Sequence, residues 1–96
     1  MELPKSGIAG HGQTTVGASA VQMGALECQS VLLKAPASNT GNVFIGNSSA
    51  VTASTGFILG PGDAIEVGVG NLNLIYAIAS AADQKLHYIT INRAPI

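Results

Sequence analysis

The apolar and polar positions of this chain alternate in short segments from residue 27 onward. In residues 64–69, for example, Ile65, Val67 and Val69 fall on one face of an extended segment, and Glu66 falls on the other. A period of two is that of β-strands, because successive side chains of a strand point to opposite faces of the sheet. Gly, Asn, Ser and Pro separate these segments, most clearly in the GPGD sequence at 60–63, which predicts tight turns.

No segment keeps a helical period, and the strand-like segments recur at short intervals. About six to eight short strands of this kind predict an all-β protein, a small antiparallel β-sandwich with a jelly-roll-like arrangement. The turns do not fix the topology, so a jelly roll, a plain antiparallel sandwich and a small barrel all remain open. The predicted strands cover 29–35, 43–45, 57–59, 64–69, 74–80 and 85–91, with shorter candidates at 14–16, 20–23 and 50–53.

The length of 96 residues predicts one folded domain, preceded by a segment of different character. Residues 1–25 are rich in Gly, Ala, Ser and Thr and have weak periodicity. We interpret them as an extended N-terminal arm that becomes ordered by lying across a neighbouring subunit, with a frayed terminus as the alternative. Residues 26–96 are the predicted β-sandwich domain.

Charge is scarce along the whole chain. Charged residues make up 9% of it, against about 25% in an ordinary globular protein, and residues 35–62 contain no ionisable side chain. The four Lys and Arg residues are scattered and the net charge is −1, so we expect no nucleic-acid partner. Neither a signal peptide nor an apolar run of about 20 residues is present, so we expect no membrane partner and synthesis in a cytoplasm.

The sequence offers little chemistry for catalysis. Cys28 is the single cysteine, and we interpret it as a small buried apolar residue. His11 and His87 lack the close spacing of metal ligands, and no nucleophile elbow or phosphate-binding glycine loop occurs. We therefore expect neither an enzyme nor a cofactor or metal.

Several apolar side chains are predicted at positions that the core of a single sandwich does not require. The segment 74–80 is apolar on both faces, and Phe44 lies on the opposite face from its two apolar neighbours. Because few charges interrupt such surface, it favours association with other subunits. The residues predicted to form a subunit or capsid interface are Phe44, Leu74, Tyr76, Ile78 and His87.

Four fragments in a fixed order resemble a known sequence pattern. These are NTGNVFIG at 39–46, GFILGPGDAIEV at 56–67, NLNLIYAIAS at 71–80 and KLHYITI at 85–91. Together they resemble small β-sandwich virion proteins of tailed bacteriophages, over residues 29–91. The resemblance implies a structural virion protein without catalytic residues.

Within that group, the first expectation is a capsid decoration or cement protein, which binds the major capsid protein at subunit joints and stabilises the head. It would be a homotrimer on the virion surface, made in the host cytoplasm. The alternatives are an accessory of the neck, tail or spike, and a glycan-binding β-module.

Overall fold

Eight β-strands make up about half of the described chain in a computed structural model, which describes residues 7–92. One turn of 3-10 helix, Leu72–Leu74, precedes the seventh strand. The strands are β1 Gly7–Val16, β2 Val21–Gln22, β3 Ser30–Lys34, β4 Val43–Gly46, β5 Phe57–Leu59, β6 Ala64–Gly68, β7 Tyr76–Ala79 and β8 Gln84–Asn92.

The strands form two four-stranded antiparallel sheets. The first sheet has the order β1-β8-β3-β6, and the second has the order β2-β7-β4-β5. In the first sheet β1 pairs with β8 and β3 with β6, and in the second sheet β2 pairs with β7 and β4 with β5. The chain is therefore one long hairpin, with β4 and β5 at its tip, that is rolled up so that successive pairs enter alternate sheets. This is a jelly roll, so the predicted antiparallel sandwich is confirmed and the open choice of topology is decided.

Two predicted strand assignments are wrong. Residues 50–53 lie in a loop, because Thr52 forms hydrogen bonds within a turn, with Thr55 and Gly56, rather than with a neighbouring strand. The strand predicted over 74–80 begins only at Tyr76, because Leu74 belongs to the 3-10 turn. The Asn71 side chain caps that turn by accepting a hydrogen bond from the Asn73 N–H.

The segment predicted as an N-terminal arm supplies strands to both sheets where it is described. β1 runs along β8, from Gly7 opposite Asn92 to Val16 opposite Gln84. β2 pairs with β7 at Val21 and Gln22. Its periodicity is weak because β1 is an edge strand rich in Gly, Ala and Thr, with its one fully buried side chain, Val16, at its end. Residues 1–6 lie outside the described range, and contact of this segment with a neighbouring subunit stays a prediction.

The core lies between the inner faces of the two sheets. Along each strand, alternate side chains point inward, and the apolar ones among them form the core. Their burial stabilises the fold by about 25 cal/mol per Å² of apolar area. Thr90, a polar residue that is fully buried with them, donates from Oγ1 to the Gly10 carbonyl at 3.1 Å. The buried cluster consists of Val16, Met23, Val31, Leu33, Ala35, Val43, Leu59, Leu72, Ile75, Ala77, Ala79 and Leu86.

The NTGN sequence at 39–42 fastens the β3–β4 connection to the start of β8. The amide of Asn39 donates to the Lys85 carbonyl and accepts from the Lys85 N–H, both at 2.9 Å, as a neighbouring strand would. Gln84, which is buried, accepts from the N–H groups of Thr40 and Gly41 at 2.8 and 2.9 Å. Its own amide nitrogen donates to the Thr40 hydroxyl and the Ala82 carbonyl. These residues form the connection clamp, Asn39, Thr40, Gly41 and Gln84.

Replacing Asn39 tests the clamp. Asn39→Ala removes both bonds to Lys85 and leaves two backbone groups without their partner, so we expect a loss of about 2–3 kcal/mol in the free energy of unfolding. Urea denaturation measures this, and Ser38→Ala, in the same turn but exposed, should change the value by less than about 0.5 kcal/mol. Equal free energies of unfolding for the two variants would show that the Asn39 side chain does not stabilise this connection.

Candidate functional site

An apolar row crosses the outer face of the second sheet. The register places Phe44 directly opposite Ile78 on one side and Ile58 on the other. Val43, next to Phe44, points into the core, so the three side chains share the face that points away from it. Opposite residues on one face have Cβ atoms about 4.5–5.5 Å apart, so the three side chains lie side by side in one row. We call Ile78, Phe44 and Ile58 the apolar row.

The members of the apolar row differ in exposure. Ile58 is 56% exposed on the edge strand β5, and Ile78 is half-buried. Phe44 is only 6% exposed, although it lies on an outer face. Its cover is the β4–β5 loop, residues 47–56, which folds back over the sheet.

Two glycines let this loop approach the sheet. A Cβ on Gly56 would lie 2.6 Å from the Cβ of Phe44, and one on Gly46 would lie 2.5 Å from a methyl group of Val51. Val51 is consequently buried outside the main core cluster. Any larger residue at 46 or 56 would push the loop away from Phe44.

The loop is held by its own polar groups. Thr52 donates from its N–H to the Thr55 hydroxyl at 3.0 Å, and the N–H groups of Thr55 and Gly56 donate to the Thr52 carbonyl at 3.2 and 2.8 Å. The loop is therefore a packed surface segment of the Ω type rather than a loose connection. With Gly46 it borders a shallow depression of about 290 Å³ lined by Asn47, Ser48 and Thr55.

The predicted interface residues fall on different surfaces. Phe44, Tyr76 and Ile78 share the outer face of the second sheet, where Tyr76 lies between Gln22 and Gly46. Leu74 is 56% exposed on the 3-10 turn that precedes β7. His87 lies on the first sheet, on the opposite side of the sandwich.

Sequence reasoning missed four exposed apolar residues, Ile8 on β1, Leu32 on β3, and Phe57 and Ile58 on β5. A strand of three residues is too short for its alternation to tell which face is covered, and nothing in residues 57–59 marks an edge strand. Only the pairing of β5 with β4 alone shows that this end of the second sheet is open in the described chain.

The outer face of the first sheet carries histidines and lysines beside apolar residues, of which the exposed Leu32 lies opposite Ile89. His87 lies between Gln13 and Lys34, and Lys85, two residues before it, donates to the Thr15 hydroxyl at 2.6 Å. His11, opposite Ile89, is a diagonal neighbour of His87, and both line an open depression of about 430 Å³. The fold thus brings together two histidines that are far apart in the sequence. In the described range no three side chains of the His, Cys, Asp and Glu types gather as a metal centre would require.

Cys28 is buried beside the isolated bridge between Glu27 and Asn71. Its Sγ donates to the Val69 carbonyl at 3.2 Å. Burial desolvates the thiolate and raises the pKa of the Cys28 thiol above its usual value. The geometry and the pKa both fit the predicted role as a small buried residue.

No protein family, curated protein or solved structure matches this chain. No helix within residues 7–92 has the length and hydropathy needed to cross a membrane.

The reactivity of Cys28 follows from its burial. Because the thiolate is the reacting species and burial both raises the pKa and blocks access, we expect the native thiol to react with a disulfide reagent at pH 8 at least about 100-fold more slowly than the thiol of the chain unfolded in guanidinium. Spectroscopic thiol titration gives both rates. Similar rates would show that Cys28 is accessible.

Proposed function

We propose that this chain is a structural protein of a virion that works by protein–protein contact, most specifically as a capsid decoration protein that stabilises the head. The observation that carries the proposal is the apolar surface that the row leaves open at Ile58 and at the half-buried Ile78, on a chain with 9% charged residues. Surface of this kind gains free energy when a protein partner covers it, at about 25 cal/mol per Å², less the cost of ordering the two partners.

The partner that we assign to the apolar row is another copy of this chain, as a homotrimer. The row belongs to the charge-free segment 35–62 and to β7, so copies of it meet without like-charge repulsion. A cyclic trimer would bury the open part of one apolar row per copy, Ile58 and Ile78, and would match the three-fold positions of a capsid lattice. The major capsid protein would bind to another part of the trimer.

The fold supports this proposal without deciding it. Jelly rolls occur in viral capsid domains, and also in lectins and cupins, and a fold alone does not determine function. The resemblance of residues 39–46, 56–67, 71–80 and 85–91 to small virion proteins of tailed phages favours the virion among these classes. An accessory of the neck, tail or spike would use the same contacts at a different place on the particle.

A charge placed in the apolar row should disrupt the trimer. Ile58→Asp puts a carboxylate at an exposed position of an edge strand, where the fold tolerates it but a covered interface does not. We expect light scattering after size exclusion, at micromolar concentration, to give a trimer for the natural chain and a monomer for the variant. Ala53→Asp, in the exposed part of the β4–β5 loop, carries the same charge and should remain a trimer. A monomeric natural chain would contradict the assignment.

The capsid role has a separate test. The purified chain is mixed with phage heads that lack their decoration protein, and co-sedimentation measures binding to the shell. We expect saturable binding and a raised temperature of head disruption, since a ligand that binds only the assembled state stabilises it. Binding to tails or necks, with none to heads, would move the protein to the accessory class.

A further inference from the structure

The longest strand of the fold lies at an edge. β1 has 10 residues and stands first in the order of the first sheet, and among the described residues it pairs with β8 alone. An edge strand presents a row of backbone N–H and C=O groups on its open side, which another strand can bind.

The other three sheet edges carry protection that β1 lacks. β2 has 2 residues, β5 has 3, and β6 has 5 with the charged Glu66 at its centre. Short strands and charged side chains are the usual means of preventing edge pairing. Residues 7–16 contain no Lys, Arg, Asp, Glu or Pro. A bulge interrupts the register between Ile8 and Gly10, but from Gly10 to Val16 the pairing with β8 is continuous.

This continuous stretch is suited to close approach by another backbone. Gly10 and Gly12 have no side chain, and the exposed side chains on its outer face, His11, Gln13 and Thr15, are polar. At about 3.4 Å per residue, the stretch offers a seam roughly 24 Å long. A strand paired along it would form about one inter-strand hydrogen bond per residue.

We propose that β1 pairs with β1 of a second copy of this chain, antiparallel across a two-fold axis, so that two first sheets become one eight-stranded sheet. A two-fold axis makes identical strands antiparallel, which is the orientation of every pairing already present in the first sheet. Charge also favours a second copy, because residues 7–16 contain no Lys, Arg, Asp or Glu that would repel its counterpart when two copies of β1 meet.

The pairing is a contact distinct from the apolar row. β1 belongs to the first sheet and the apolar row to the second, so the two contacts do not compete and the pairing does not rest on the proposed function. A single strand seam buries less than the roughly 1,600 Å² of a standard interface. We therefore expect a weak dimer that forms reversibly with rising concentration.

The test uses the full chain with Ile58→Asp as background, so that association through the apolar row does not contribute. Sedimentation equilibrium over a concentration series should give a monomer–dimer equilibrium. Adding His11→Glu and Gln13→Glu, both at exposed positions of β1, places four carboxylates along the seam and should raise the Kd at least about 10-fold. Ala53→Glu with Ser54→Glu adds the same number of carboxylates, two per chain, to the exposed β4–β5 loop and should leave the Kd unchanged.

Hydrogen exchange locates the contact. Amides of residues 10–16 should exchange more slowly at a protein concentration above the Kd than below it, and those of β6 should not change. A background chain that stays monomeric up to millimolar concentration would overturn the proposal. A dimer that is unaffected by the β1 carboxylates, or that shows no concentration-dependent protection in β1, would also overturn it.

Discussion

The register between β3 and β8 is the constraint on which the rest of this structure depends. It places Val31 opposite Thr90 and Leu33 opposite Tyr88 on the inner face. A slip of one residue would turn β8 over, move the fully buried Leu86 to the outside and bring His87 into the core. The connection clamp acts at this point, because Asn39 and Gln84 join the end of the β3 connection to the first residues of β8. A few neutral side-chain hydrogen bonds thereby stabilise a pairing between segments more than 40 residues apart, whose formation requires the closure of a long loop.

The same register determines which side chains lie on the outer faces of the two sheets. Once the inner faces are fixed, alternation puts the apolar row on the outside of the second sheet and the histidines and lysines on the outside of the first. The two outer faces therefore have different chemistry although the chain is poor in charge throughout. The β4–β5 loop adds to this difference, because it covers Phe44 and leaves Ile58 exposed.

Much of the fold could be predicted from the sequence, and the reasons for the failures are physical. A strand with alternating apolar residues, such as β6, and a short apolar strand between firm turns, such as β5, are predicted to within a residue or so of their bounds. β1 was not found at its full length, because an edge strand of Gly, Ala and Thr buries too little to leave a period. Residues 50–53 have strand-like composition, but hydrogen bonds within the loop outweigh it. Pairing between distant strands, which decides the jelly roll and brings Ile78 beside Phe44, leaves no local signal.

The fold explains part of the absence of charge in residues 35–62. This segment contains β4, β5 and the loop between them, which is the tip of the rolled hairpin and half of the second sheet. A charge on its inner face would lie in the core, and one at Phe44 would be buried beneath the loop, where an unpaired charge is costly. Neither reason applies at Ile58, Phe57 or the exposed loop positions 52–55, where charge would cost the isolated fold little and would favour solubility. Stability of the monomer therefore explains the neutral residues that are buried. It does not explain those that are exposed, for which we propose contact with other protein.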